Sequence, residues 1–91
     1  MSSLEKFTRM LAQAPFLEPY WTLDRNTPEI QLPELKTRMA TMSHGECVLA
    51  EFFIGVWTGD GEKFDLIEAG STLDLEYRRI VSDWVLDPFW P

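Results

Sequence analysis

Cysteine and histidine, the residues that most often mark metal sites and nucleophiles, each occur once in this chain. With one cysteine, Cys47, no disulfide can form within the chain, and its place in an apolar run predicts a small buried side chain rather than a reactive thiol. One histidine, His44, leaves too few ligands for a structural zinc site and gives the serines a single base to share. We therefore expect a protein without metal or cofactor that is not an enzyme.

Basic residues are also scarce. Eight lysines and arginines stand against fifteen acids, which leaves a net charge of −7 at pH 7. Nucleic acids and anionic membranes are bound by clustered cations, so neither is expected as a direct partner. A charged partner is instead expected to be a protein with a basic surface.

Long apolar runs are absent as well. The longest is shorter than the ~18 residues of a membrane-spanning helix, and Met1 to Lys6 lack the basic region and apolar stretch of a secretion signal. A chain of 91 residues is long enough for one domain with a single core. We expect one soluble, unprocessed cytoplasmic domain over residues 1–91.

The most informative segment that is present is the apolar run 47–57, in which Glu51 is the one charge. Ser43 and Glu46 precede it with the spacing of a capping box, in which each side chain bonds the main chain of the other residue. These features predict a helix over residues 44–57. A helix that is apolar on nearly every side must be covered by other elements or by a second chain.

Apolar spacing and capping residues predict further helical segments. They span residues 3–14, 33–41 and about 74 to 86, with a short helical turn at 66–69 that Gly70 and Ser71 end. The fold class is therefore all-α, a small single-domain bundle of four to five helices around a very apolar central helix.

The residues between the first two predicted helices carry prolines and aromatics. Residues 15–21 predict an extended segment laid over the core. The stretch 22–32 predicts turns, around Asp24 to Pro28, with Thr27 capping a short helical turn that Pro28 begins. Apolar and polar residues nowhere alternate for long enough to predict a sheet.

The loop and helical turn at residues 59–68 resemble, in context, a calcium-binding EF-hand. If Glu68 is the closing ligand, Trp57 falls on the first ligand position and Glu62 on the position that requires glycine. The side-chain oxygens that the ion needs are then missing. A degenerate EF-hand-like metal-sensing module is the alternative function, and a plain acidic connection is favoured over it.

The segment 60–76 contains six acids and a single basic residue, Lys63. Small acidic proteins sometimes act by occupying a basic surface of another protein, as DNA mimics do, although such runs are more often solvated faces. We predict that four acids of this segment steer a basic partner: Asp60, Glu62, Glu68 and Glu76.

The C-terminal segment is aromatic, whereas chain ends are normally polar. One interpretation is that Phe89 and Trp90 fold back on the domain, against Phe16, Tyr20 and Trp21. The other is that they are apolar anchors for a partner protein or for a second copy in a homodimer. The leading hypothesis is a non-enzymatic protein that binds another protein through these anchors or through the acidic segment.

Several residues in the second half of the chain carry a resemblance. They are the stretch from Ser43 to Trp57, Phe64-Asp65-Leu66, Leu73-Asp74, Arg78, Trp84 and the closing Asp87-Pro88-Phe89-Trp90-Pro91. This half resembles a group of small uncharacterised bacterial proteins encoded on integrated mobile elements and plasmids, while the first 42 residues do not share in it. The resemblance implies a bacterial cytoplasmic accessory or regulatory role and assigns no functional residue.

Overall fold

A computed structural model describes residues 1–24 and 26–91. Within those residues the chain forms five α-helices, one 3-10 helix and one two-stranded antiparallel sheet. The elements are, in chain order, α1 (Ser3–Ala12), the 3-10 helix (Pro15–Tyr20), β1 (Trp21–Thr22), β2 (Glu29–Ile30), α2 (Leu32–Met39), α3 (His44–Thr58), α4 (Leu66–Thr72) and α5 (Leu75–Leu86). The predicted class, a small and mainly helical domain, is confirmed.

Side chains that the sequence places just before the helices fix where those helices begin. The Ser43 amide donates to Glu46 Oε1 at 2.9 Å and the Glu46 amide donates to Ser43 Oγ at 3.2 Å, so the predicted capping box of α3 is confirmed. Ser2 caps α1 in the same way through the Glu5 amide, without the reciprocal bond. These caps satisfy main-chain donors that a helix start would otherwise leave unpaired.

The end of α3 is set by Gly59, which adopts a left-handed conformation with φ of 75°. Its amide donates to the Gly55 carbonyl at 2.9 Å, and the chain then turns back over the helix. A Cβ on Gly55 would lie 3.3 Å from both the Asp60 carbonyl oxygen and the Gly61 Cα. The loop after α3 therefore rests directly on the helix backbone.

The hydrophobic core is built on α3, seven of whose residues are buried: Val48, Leu49, Ala50, Phe52, Phe53, Ile54 and Val56. Phe7 of α1 lies with its ring 5.9 Å from Phe53 and 5.5 Å from Trp21, forming an aromatic cluster. Leu17 and Leu35 are fully buried and bring the 3-10 helix and α2 onto the same core. None of the helices in the described part of the chain is long and apolar enough to cross a bilayer.

Two predictions about the segment that connects α1 to α2 are wrong. The segment 15–21 lies on the core as predicted, but only Trp21 is extended, because Pro15 presets a helical φ and the buried Leu17 holds residues 15–20 as a 3-10 helix. No helical turn follows Pro28. Instead Trp21 pairs with Ile30 in a sheet of two-residue strands, which are too short to show an alternating pattern in the sequence. Arg25, which belongs to the predicted turn, lies outside the described residues.

The predicted end of the fourth helical segment is also wrong. Gly70 and Ser71 lie inside α4, which continues to Thr72. A glycine costs about 1 kcal/mol in a helix relative to alanine. Burial of Ala69 and Leu73 offsets that cost by holding the last turn against the core.

Candidate interaction surface

Large apolar side chains that remain exposed are concentrated in one part of the chain. Among the described residues they are Met1 and six residues of α4, α5 and the C-terminal segment: Leu66, Ile67, Leu75, Val85, Leu86 and Trp90. Ile67 and Leu86 are the most exposed, at 83% each. Val85 follows the apolar spacing of α5, in which Ile80 and Val81 are buried, yet it is 53% exposed. Single exposed apolar residues are ordinary, whereas a cluster of them marks a binding surface.

A continuous groove runs through this cluster. One depression of about 330 Å³ lies between α4 and α5, and a second of about 260 Å³ lies between α3, the loop after it and Trp90. Leu66, Val81 and Val85 line both depressions and so join them. We call the whole the apolar groove, and its other lining residues are Phe52, Gly55, Val56, Gly59, Gly61, Phe64, Ala69, Gly70, Leu73, Arg78, Ser82, Trp84, Leu86 and Trp90.

Helix periodicity explains how α5 lines the groove. Arg78, Ser82 and Val85 follow one another at intervals of four and three residues and so share one face of α5. Ile80 is buried on the opposite side of the helix. The side chain of Leu86, which is next to this face, protrudes at the open edge. α5 therefore has one apolar face in the core and a second one toward solvent.

Charged side chains are scarce along the groove. Arg78, in the first half of α5, is the one charged residue among those that line it, and it takes part in none of the ion pairs between described residues. The loop at the other end carries the exposed acids Asp60 and Glu62, whose side chains line the neighbouring depression together with Lys36 and Lys63. The groove itself is therefore apolar apart from one positive side chain.

The two predicted anchors have different environments. The Trp84 indole Nε1 donates to the Phe89 carbonyl oxygen at 2.9 Å, and this bond holds the C-terminal segment on α5. Phe89 is half-buried, 6.5 Å from the Trp84 ring, with the Lys6 Nζ 6.0 Å from its own ring centre. Trp90 is 59% exposed, touches Trp84 with a ring separation of 5.6 Å and lines the groove. Trp90 is therefore available to a partner, whereas Phe89 packs on its own chain.

The contacts predicted for these anchors differ from those observed. Phe16 pairs instead with Tyr77, at 5.9 Å between ring centres. Trp21 belongs to the aromatic cluster around Phe7, where its ring lies 6.3 Å from that of Trp57. The C-terminal segment folds back where α5 ends, against Trp84 and beside Lys6 of α1, and not against Phe16 or Trp21.

The four predicted steering acids are exposed but do not form one patch. Asp60 and Glu62 follow the end of α3, whereas Glu68 lies 3.7 Å from His44 at its beginning. A helix rises 1.5 Å per residue, so α3 separates these positions by roughly 20 Å. Glu76 lies in the first turn of α5. The chain reverses at Gly59, and this reversal divides acids that are neighbours in the sequence.

Glu51, the one charge in the apolar run of α3, has a partner that the sequence did not indicate. Lys36 Nζ of α2 lies 3.1 Å from Glu51 Oε1, and the Glu51 side chain is 20% exposed. The pair lies beside Asp60, Glu62 and Lys63 in a shallow depression of mixed charge. The acids at this end of the molecule are therefore partly balanced by lysines.

The structure defines the surroundings of three titratable groups, Cys47, His44 and Tyr77. Cys47 donates from Sγ to the Met39 carbonyl at 3.1 Å and is half-buried, while the side chain of His44 is 67% exposed. Burial raises the pKa of Tyr77, and the nearby carboxylates, with Asp74 first and then Glu46 and Glu76, raise it further. Each of these groups has an ordinary structural environment.

The loop predicted as a degenerate EF-hand uses its carboxylates for main-chain contacts. Asp60 Oδ1 accepts from the Glu62 amide at 3.1 Å, and Asp65 Oδ1 accepts from the Ile67 amide at 2.8 Å. No three His, Cys, Asp or Glu side chains converge on a metal position anywhere in residues 1–24 and 26–91. The metal-sensing alternative stays a prediction.

The apolar groove, with Trp90 at one end and Arg78 at the other, is thus the feature of this molecule that is best suited to recognition. Comparison of the chain with known protein families, with curated proteins and with solved structures finds no match. The resemblance of the second half to mobile-element proteins accordingly stays a prediction.

Proposed function

We propose that this protein is a non-enzymatic interaction protein that acts by binding another protein chain in the apolar groove. The observation that carries the proposal is the exposed apolar surface of α4, α5 and Trp90. Its four exposed side chains, Leu66, Val85, Leu86 and Trp90, present roughly 500 Å² to solvent, taking about 150–250 Å² for a fully exposed residue of this size.

An exposed apolar surface of that extent matches the largest apolar patch of a typical monomer, ~300–600 Å², which often has a function. It is close to a tenth of the total accessible surface of 5680 Å², which is the share that a standard protein interface takes from a small protein. Trp90 lies in this surface, and tryptophan is among the residue types most enriched at positions that dominate the binding energy of interfaces. Removal of this surface from water gives the driving force for association.

The acids have a narrower role in this proposal than the sequence predicted. Asp60 and Glu62 are exposed on the loop at one end of the groove, and their proposed role is to steer a basic segment toward it. Glu68 and Glu76 lie elsewhere, and at physiological salt their influence falls off beyond about 8 Å. The steering set that we propose is therefore Asp60 and Glu62, with α3 as the scaffold that holds the groove.

The proposed setting is that of an accessory or regulatory protein in a bacterial cytoplasm, serving a mobile element. This part rests on the resemblance of the second half of the chain and on its acidic composition. A protein of net charge −7 is suited to a basic partner.

A photoreactive amino acid in place of Leu86 tests the proposal in cells of the native host. Leu86 is 83% exposed at the edge of the groove, and Glu18, exposed on the 3-10 helix, is the matched control position. We expect covalent adducts with another polypeptide from position 86 and none from position 18. Equal labelling at both positions, or none at either, would contradict the proposal.

A further inference from the structure

We propose that a second site, separate from the apolar groove, binds a free α-amino acid with an apolar side chain. The site is the cleft between α1 and α5, which has a volume of about 390 Å³ and which we call the α1–α5 cleft. Cavities that bind small molecules have volumes of about 300–1,000 Å³, so a ligand of this size fits. The inference goes beyond the proposed function, because Trp84 is the one residue that the cleft shares with the groove.

The floor of the α1–α5 cleft is apolar. Met10 and Ile80, which are 6% and 1% exposed, belong to the hydrophobic core and form its deepest part. The half-buried rings of Trp84 and Phe89 complete the floor, and the hydrogen bond from the Trp84 indole to the Phe89 carbonyl holds them together. Such a floor is suited to an apolar side chain, because removing that side chain from water favours binding.

One end of the cleft is closed by a pair of opposite charges. Lys6 Nζ on α1 lies 3.6 Å from Asp87 Oδ2, just after the end of α5. The same Nζ lies 6.0 Å from the centre of the Phe89 ring. Lys6 and Asp87 therefore already have partners within the chain.

One helical turn further into the cleft, a second pair of opposite charges is open. Arg9 follows Lys6 by three residues and Asp83 precedes Asp87 by four, so each shares a helix face with the residue of the first pair. Arg9 lines one wall and Asp83 the other, and both residues are exposed. Neither takes part in an ion pair within the part of the chain that the structure describes. A ligand in the cleft thus meets one free cation and one free anion.

An α-amino acid carries the complementary groups. Its carboxylate and its ammonium group are both charged at neutral pH, so it has no net charge and a chain of net charge −7 does not repel it. The planar guanidinium of Arg9 binds a carboxylate through two parallel hydrogen bonds. The ammonium group donates to the carboxylate of Asp83, and the apolar side chain lies on the floor.

Calorimetric titration of the full chain with L-phenylalanine is the first test. We expect saturable binding with a dissociation constant of about 1 mM or tighter. Three related compounds each lack one of the recognised groups: N-acetyl-L-phenylalanine lacks the ammonium group, phenethylamine the carboxylate and L-serine the apolar side chain. Each should bind about tenfold more weakly or worse. No saturation by L-phenylalanine up to about 10 mM, or equal binding of any of the three compounds, would overturn the inference.

Nuclear magnetic resonance locates the bound amino acid. Trp84 lines the cleft, whereas Trp21 and Trp57 lie in the aromatic cluster around Phe7. We expect the indole N–H signal of Trp84 to shift with the dissociation constant found by calorimetry, because the ring of the ligand lies against it. The indole signals of Trp21 and Trp57 and the amide signal of Gly70, which lines the groove, should stay in place. Shifts that are larger at those positions than at Trp84 would contradict the proposed site.

Arg9→Met and Asp83→Asn test the two free charges. Both residues are exposed, so the variants should keep the helical circular dichroism of the wild type. Each should weaken L-phenylalanine binding by about tenfold or more, whereas Arg38→Met and Glu34→Gln, at exposed positions of α2 outside the cleft, should leave it unchanged. Wild-type affinity in either cleft variant, or an equal loss in the two α2 variants, would refute the inference. The adducts at position 86 test the groove separately, so a failure of the cleft leaves the proposed function standing.

Discussion

Phe89→Ala removes a half-buried ring that packs on Trp84, while Trp90→Ala removes an exposed ring that lines the groove. Truncation of a fully buried phenylalanine to alanine costs about 3–5 kcal/mol. Because Phe89 is only partly buried, we expect Phe89→Ala to lower the free energy of unfolding by about half of that, roughly 1.5–2.5 kcal/mol. The hydrogen bond from the Trp84 indole Nε1 to the main-chain carbonyl of residue 89 remains available in the variant, so this loss reports packing.

Trp90→Ala should lower the free energy of unfolding less and weaken association more than Phe89→Ala. Trp90 is 59% exposed and its one aromatic contact is with Trp84, so we expect a stability loss of about 0.5–1 kcal/mol. Its effect on association should be larger than that of Phe89→Ala, because tryptophan is a frequent determinant of binding energy. The two variants are matched in type and in position along the chain.

Urea denaturation followed by far-ultraviolet circular dichroism measures the stability effect without depending on tryptophan emission. With the urea dependence usual for small domains, ~1–3 kcal/mol per molar, Phe89→Ala should move the midpoint down by about 1 M. The experiment should use a protein concentration at which the wild-type chain is monomeric, since association adds to apparent stability. Equal midpoints for the two variants, or a lower midpoint for Trp90→Ala, would refute the assignment of Phe89 to packing and Trp90 to recognition.

Three further outcomes are expected. Gly70→Ala should raise the thermal midpoint, followed by circular dichroism, by an amount that corresponds to about 0.5–1 kcal/mol, since it improves helix propensity and its Cβ meets nothing within 4 Å. Lys36→Met should lower the free energy of unfolding by about 0.5–1 kcal/mol in urea titrations, and a double variant with Glu51→Leu should recover that loss if the ion pair is its source. The pKa of Tyr77 is raised above its ordinary 10.0, mainly by burial, so its neutral form is favoured in the folded state. The contribution of this group to the free energy of unfolding should therefore be constant below about pH 10 and decline above it. In denaturant titrations from about pH 9 to 12, the free energy of unfolding of Tyr77→Phe should decline less steeply than that of the wild type.

Local signals in the sequence were sufficient for the helices that begin with a side-chain cap. Ser43 with Glu46 placed the start of α3 correctly, and Asp74 did the same for α5, because capping depends on residues three positions apart. The pairing of Trp21 with Ile30 was missed, since a two-residue strand has no periodicity of its own and depends on contacts formed after folding. The persistence of α4 through Gly70 was missed for a related reason: burial against α3 overrides local propensity.

The groove could be predicted only in part. Trp90 was recognised as a candidate anchor because an aromatic residue in a terminal segment is unusual. Val85 and Leu86 carry the same apolar signal as residues of the core, and apolar spacing cannot distinguish a face that packs on its own chain from one that packs on another chain. The steering acids were predicted as one set because they are near in sequence, and the reversal of the chain at Gly59 separates them.

Gly55, which the loop after α3 contacts, is one of several glycines that shape the groove. Of the five glycines in the chain, Gly55, Gly59, Gly61 and Gly70 all line the groove. Backbone therefore forms part of its lining, and a Cβ on Gly61 or Gly70 would meet nothing within 4 Å, whereas the loop backbone already occupies the space beside Gly55. A glycine has no side chain that could mark a binding surface in the sequence, so the sequence does not reveal the hollow that these residues leave. Alanine substitutions normally delete contacts, but at Gly61 or Gly70 they would add material to the surface that we propose for binding.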